Sequence, residues 1–264
     1  MSLSARLLLL PQWLTILLLI GSMVSMSIAG FLVVHRYIPV KTRKIHNDVA
    51  GFVFGSLGAT YGVLLAFMVL VVWGQLNDAQ RDVVSEDSAM IALYHNIAAY
   101  PDQATKKVLV TGLAQYVRLS SQQAEMERPG QDTNENIKTI EELMAVFKQV
   151  KPDSPHQQIL YSQILQNLND LVKYRKFRLQ AAYEELPSVV WIGVVVGALI
   201  VISCTFLFGT ENVWAHIIIM SLMASLIAII IYVVIELDHP TIGIVKIETP
   251  KSYAKVAELA QLQE

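Results

Sequence analysis

The chain alternates between long apolar stretches and polar stretches with helical spacing. Four apolar runs reach the roughly 20 residues that a helix needs to cross a hydrocarbon core. They extend from about Trp13 to Val34, Gly51 to Trp73, Ser188 to Phe208 and Val213 to Ile235. Trp13, Trp73, Trp191 and Trp214 stand near run ends, where aromatic side chains bridge lipid and water. The first run reads as a retained helix. Its apolar core exceeds the about 7–15 residues of a leader peptide.

Between the second and third runs the pattern becomes amphipathic. The second helix is expected to continue past the membrane, because Val83, Val84, Met90, Ile91, Tyr94 and Ile97 recur at helical spacing before Pro101. Asp102 then reads as the cap of a helix carrying Leu109, Leu113 and Tyr116. The Pro129–Asn134 segment is rich in turn residues, and a short helix follows to Val150. Ser154 followed by Pro155 marks another helix start, with Ile164, Leu168 and Leu171 on its apolar stripe. After the fourth run, Thr241–Ile247 leans toward β structure, and Pro250–Leu262 fits a short amphipathic helix. The expected fold is an all-α membrane protein with four crossings and a helical bundle between crossings two and three. Its segments are 1–75, 76–186, 187–237 and a tail, 238–264.

Composition agrees with this reading. Hydrophobic residues make up 54% and charged residues 16%, and the mean hydropathy is +0.46. A net charge of -2 gives no footprint for nucleic acid. The first hairpin carries Arg36, Lys41, Arg43 and Lys44. The other side carries Arg6, Arg81, Lys173, Arg175, Lys176, Arg178, Lys246 and Lys251 near helix ends. That bias predicts a cytoplasmic middle domain and cytoplasmic termini. The lone cysteine, Cys204, reads as a buried thiol.

No zinc-ligand spacing, phosphate loop or nucleophile elbow is present in the sequence, and none of the four runs has an ionisable residue near its centre. The expectation is a protein without catalytic site, metal or cofactor. The second run carries the informative pattern. Gly51, Gly55, Gly58 and Gly62 form one stripe, which suits close packing against another crossing, a second subunit or a narrow passage. Another face carries Val53, Thr60, Leu64, Phe67 and Val71, followed by Asp78. It faces lipid or a neighbouring helix, or it lines an apolar constriction ending in a ring of acid. Asp78, Arg81, Asp82, Glu86 and Asp87 cluster just past the membrane, with Glu184, Glu185, Glu236 and Asp238 near the same surface. That collection predicts an acidic mouth unless basic partners neutralise it.

Several motifs together resemble the bestrophin-like family of bacterial membrane proteins. They are His46–Phe52, Tyr61–Phe67, Val72-Trp73 with Asn77-Asp78-Ala79, Phe206–Gly209, and Glu236–Pro240. The resemblance covers residues 46 to about 240. It implies a relation to bestrophins, pentameric ion channels whose second helix lines a hydrophobic neck. On that resemblance the chain is expected to be a homo-oligomeric channel of a bacterial inner membrane, in a lipid bilayer, with inorganic ions as its cargo; the resemblance suggests chloride, while the acidic mouth suggests cations. Thr60, Leu64, Phe67, Val71 and Asp78 are the expected lining. No copy of the bestrophin calcium clasp is visible. The alternative is a membrane-anchored signalling or scaffold protein whose helical domain binds a soluble partner.

Overall fold

The computed structural model describes residues 6–126, 133–181, 186–240 and 250–261. Residues 129–132 of the turn-rich segment, Glu184 and Glu185, and the stretch 241–247 lie outside them. The principal described helices are α1 (Gln12–Tyr37), α2 (Val40–Ile45), α3 (Asn47–Ala98), α4 (Gln103–Met126), α5 (Thr133–Lys148), α6 (Pro155–Ala181), α7 (Ser188–Thr205), α8 (Val213–Asp238) and α9 (Ser252–Gln261). Among them, α1, α3, α7 and α8 are long and apolar enough to cross a membrane. The four-crossing, all-helical architecture expected from the hydropathy pattern is the one observed. The caps match too. The Thr105 amide donates to Asp102 at 2.8 Å, and the Gln157 amide donates to the Ser154 hydroxyl at 3.2 Å. The second crossing is one unbroken helix of 52 residues.

The chain divides into two compact units. The first combines 1–75 with 185–245 and holds α1, α2, α7, α8 and the apolar part of α3. In it α8 pairs most closely with α1, and the side it buries includes the small residues Ala224 and Ala228. Small residues let helix backbones approach where lipid gives no hydrophobic push. The buried face of α3 here is Tyr61, Leu65, Met68 and Val72. Tyr61 lies against α7, where its hydroxyl donates to the Val194 carbonyl at 3.0 Å. The ring occupies the space that Gly197 leaves. A Cβ at Gly197 would stand 2.7 Å from two ring carbons.

The hairpin at the α1 end contains α2, which the hydropathy pattern does not foreshadow. Arg43 of this short helix is only 4% exposed. Its guanidinium donates from Nη1 to the carbonyls of Phe206 (3.0 Å) and Phe208 (3.4 Å), and from Nη2 to His35 Nδ1 (2.9 Å). Asn47 and Gly209 exchange two hydrogen bonds, at 3.0 and 2.8 Å. Gly209 is required there because a Cβ would lie 2.3 Å from the Lys44 backbone nitrogen. Two of the motif segments, His46–Phe52 and Phe206–Gly209, therefore meet. Near the other end of this unit Asp238, buried, accepts the Leu186 amide at 2.9 Å.

The second unit combines 76–184 with 246–264. Its apolar core joins Leu93 and Ile97 of α3, Leu113 of α4, Phe147 of α5, Leu168 of α6 and Val256 of α9. The tail helix α9 is thus part of this bundle, packed against α4, rather than a segment apart.

Gly197 and Gly193 provide a paired test on one helix. Alanine normally favours a helix over glycine by about 1 kcal/mol. A Cβ at Gly193 meets nothing within 4 Å, so Gly193→Ala should hold or raise the melting temperature in detergent. Gly197→Ala should lower it, by the roughly 1–3 kcal/mol typical of overpacking. Equal shifts for the two would refute the Tyr61 contact.

Candidate functional site

The membrane part of α3 presents one covered and several uncovered faces. Leu64 is 42% exposed, Phe67 64% and Val71 51%, and Thr60 is exposed with its hydroxyl returned to the Ser56 carbonyl at 2.9 Å. That internal bond satisfies the hydroxyl without a partner helix. The glycine stripe is uncovered as well. A Cβ at Gly55, Gly58 or Gly62 meets nothing within 4 Å, and one at Gly51 reaches only the Phe208 ring at 3.9 Å. Within one chain, three of the four glycines have no facing helix. The buried side Tyr61–Leu65–Met68–Val72 leaves both patterned faces free for lipid, for ions or for another subunit.

The charge cluster past the apolar part of α3 separates into residues of different kinds. Asp78 and Arg81 form an exposed i,i+3 pair at 3.3 Å. Burial and the neighbouring Asp78 raise the Asp82 carboxyl above its ordinary value, against the opposing pull of Arg81. Glu86 is fully buried. Arg178 of α6 clamps it, Nε to Oε2 at 2.6 Å and Nη2 to Oε1 at 3.3 Å. Tyr253 of α9 donates to Oε1 at 2.5 Å.

The order of protons in this network follows from its chemistry. An ionised carboxylate only accepts and a guanidinium only donates. Tyr253 spends its proton on Glu86, so Tyr116 donates to Tyr253 across 3.1 Å. Tyr116 in turn accepts from Arg175 Nη1 at 3.0 Å, and Arg175 also donates to Ser120 at 2.5 Å. Burial, with Tyr116 and Glu86 beside it, pushes the Tyr253 hydroxyl well above its ordinary value, which keeps the donor proton in place. Asp87 accepts the Ser252 amide at 2.6 Å and so caps the start of α9.

These contacts take up part of the expected acidic mouth. Glu86 is neutralised by Arg178, Asp87 caps a helix, and Glu236 and Asp238 are buried. Glu184 and Glu185 fall outside the described residues. Asp78 is exposed but shares its charge with Arg81. Periodicity missed the Glu86 site because its partners lie 92 and 167 residues away. Among the described residues, no group of three or more His, Cys, Asp or Glu side chains could hold a metal ion.

The fold and this helix define a class: four-crossing, all-helical membrane proteins with a bestrophin-like layout. The family model for the Bestrophin-like domain matches residues 21–251, and the chain belongs to that family. Two crystal structures of a bacterial bestrophin homologue from Klebsiella pneumoniae, carrying different point mutations, share the fold. One superposes with a TM-score of 0.66 at 13% identity, covering 94% of this chain and 98% of that one. The other gives 0.64 at 14%, covering 94% and 96%. Comparison with curated proteins finds no match.

The two acids should respond differently to substitution. Glu86→Ala leaves the half-buried Arg178 guanidinium without its counter-charge and should cost up to the about 3–5 kcal/mol typical of breaking a buried pair. Asp78→Asn removes half of a solvent-exposed pair and should leave thermal unfolding unchanged within error. A Glu86→Ala protein that melts with the wild type would remove the buried pair from the account of this bundle.

Proposed function

We propose that the protein is a homo-oligomeric ion channel, pentameric in the manner of bestrophins, in which α3 of each subunit lines the pore. The carrying observation is that α3 leaves Thr60, Leu64, Phe67 and Val71 uncovered by its own chain, in a protein of the Bestrophin-like family. An apolar neck built of Leu64, Phe67 and Val71 admits ions only when it is wet, so it can gate by dewetting. Asp78 stands beyond the neck in sequence. The stripe Gly51, Gly55, Gly58 and Gly62 suits close approach of a neighbouring subunit. We place the protein in a bacterial inner membrane, with the helical unit and both termini in the cytoplasm, as the distribution of Lys and Arg favours.

The conducted ion in this reading is an anion, with chloride as the physiological candidate. Support comes from three of the acids: Glu86 is paired with Arg178, Asp87 accepts the α9 amide, and Asp78 is paired with Arg81. In those three little unopposed negative charge is left to concentrate cations. A second reading, a membrane scaffold that binds a soluble partner, draws support from Val84 and Ile159, apolar side chains exposed on the helical unit.

Purified full-length protein in a planar bilayer under a KCl gradient should give discrete currents reversing near the chloride equilibrium potential. Phe67→Ala should raise unitary current by widening the neck. Unchanged conductance would take Phe67 out of the lining. Reversal near the potassium potential would reject anion selectivity. Silence across several pH values would favour the scaffold.

A further inference from the structure

The hairpin cluster combines two features that are unusual together: a buried cation without a carboxylate, and two histidines beside it. Arg43 is buried, and its hydrogen-bond acceptors are two carbonyls and one imidazole. Its Nε has no partner. The Phe31 ring lies 5.7 Å from the guanidinium carbon and packs on both His35 and His216, with centroid distances of 5.4 and 4.6 Å. His216 is buried, and its Nε2 is also without a partner. A buried guanidinium is normally held by an acid. Among the described residues, the acid paired at this end is Glu211, and Lys44 takes it at 2.6 Å.

The Arg43–His35 bond therefore sets a condition. A guanidinium has no lone pair to offer, so His35 Nδ1 must be the acceptor and must carry no proton. Histidine is the side chain that exchanges its proton between about pH 5 and 8. A proton on Nδ1 removes the acceptor and sets a second cation 2.9 Å from the first. Among the described residues, Arg43 of α2 and His216 of α8, both basic, act on His35 from other elements, and the hairpin adds the bases Lys41, Lys44 and His46 and the acids Asp48, in the first turn of α3, and Glu211, which Lys44 holds. On its own helix Arg36 adds a further base, and the segment after α7 offers Arg43 the carbonyls of Phe206 and Phe208. Among the described residues neither acid is bonded to Arg43 or His35, so the added charge meets no paired carboxylate.

We propose that the His35–Arg43 hydrogen bond is an acid-released latch: protonation of His35 at Nδ1 detaches Arg43 from α1 and loosens α2 from the carbonyl end of α7. The direction is fixed by the geometry. The latch is closed where His35 is neutral and opens as pH falls on the hairpin side of the membrane. What opens is the junction that also holds Asn47, the first residue of α3, against Gly209.

The chain carries its own reporter. Cys204, its single cysteine, is buried two residues before Phe206, whose carbonyl Arg43 holds. Labelling of Cys204 by 4,4′-dithiodipyridine, which reacts in acid, can be followed on the full chain in detergent between pH 8 and pH 5. No current is needed, so the result stands apart from the channel reading. The comparison is with His35→Gln, whose side-chain oxygen can accept from Arg43 at any pH. At pH 8 the two should label alike. At pH 5 the wild type should label about tenfold faster than His35→Gln, the scale set by losing one charge-assisted hydrogen bond. His216→Phe should keep the acid response. Equal profiles for wild type and His35→Gln overturn the latch, as does a response lost in His216→Phe but kept in His35→Gln. Should His35→Gln not fold, amide exchange of the wild type decides. After correction for intrinsic rates, protection over Val40–Asn47 should fall from pH 8 to pH 5, and constant protection overturns the proposal.

Discussion

The structure depends on one constraint: in hydrocarbon, every backbone amide and carbonyl must be bonded within the protein. Helices meet that demand along their length but leave four carbonyls and four amides open at their ends. The first unit meets it at the ends with side chains. Arg43 takes carbonyls at the end of α7, Asn47 takes both polar groups of Gly209, and Asp238 takes the Leu186 amide. Asn47, Gly209 and Asp238 among these end-binders fall within the motif segments. Their role is to let four helices begin and stop at defined places.

The same constraint explains what could be read from sequence. A crossing needs about 20 apolar residues, and that signal is local, so α1, α3, α7 and α8 were legible to within a few positions. So were the caps at Asp102 and Ser154, whose partners lie three residues on. Illegible were contacts across long sequence separations. Arg43 counts in the sequence as one of four basic residues of an exposed hairpin, yet it is buried and bonded 163 residues away. Glu86 sits among exposed acids in the sequence, yet it organises the bundle core. The tail helix was expected as a helix, while its place in the core rests on Tyr253 and Ser252 reaching adjacent acids on α3. Charge in sequence does not distinguish a solvated side chain from a buried, satisfied one. Only the partner does.

For α3 the limit is of another kind. Exposure of Leu64, Phe67 and Val71 is what lipid, a pore or a neighbouring subunit would each require of a single chain. In water an apolar surface of that size would itself point to a partner. In a membrane lipid can cover it without cost. The argument for a lining face therefore rests on family and on pattern: one face covered within the chain, another of glycines, a third of larger apolar side chains.

α3 is one continuous α-helix of 52 residues, and its first part belongs to the same unit as the hairpin. Its first residue is pinned by the Asn47–Gly209 exchange, and the segment just before it by Arg43. A change at the hairpin thus acts on the first turn of α3. Gly55, Gly58 and Gly62 lie between the pinned end and Phe67 without intrachain contacts of their own to resist a shift. Tyr61 resists instead, through its bond to Val194 and its seat over Gly197. Within this unit α3 is thus attached at two places, one polar at the hairpin and one aromatic in the span.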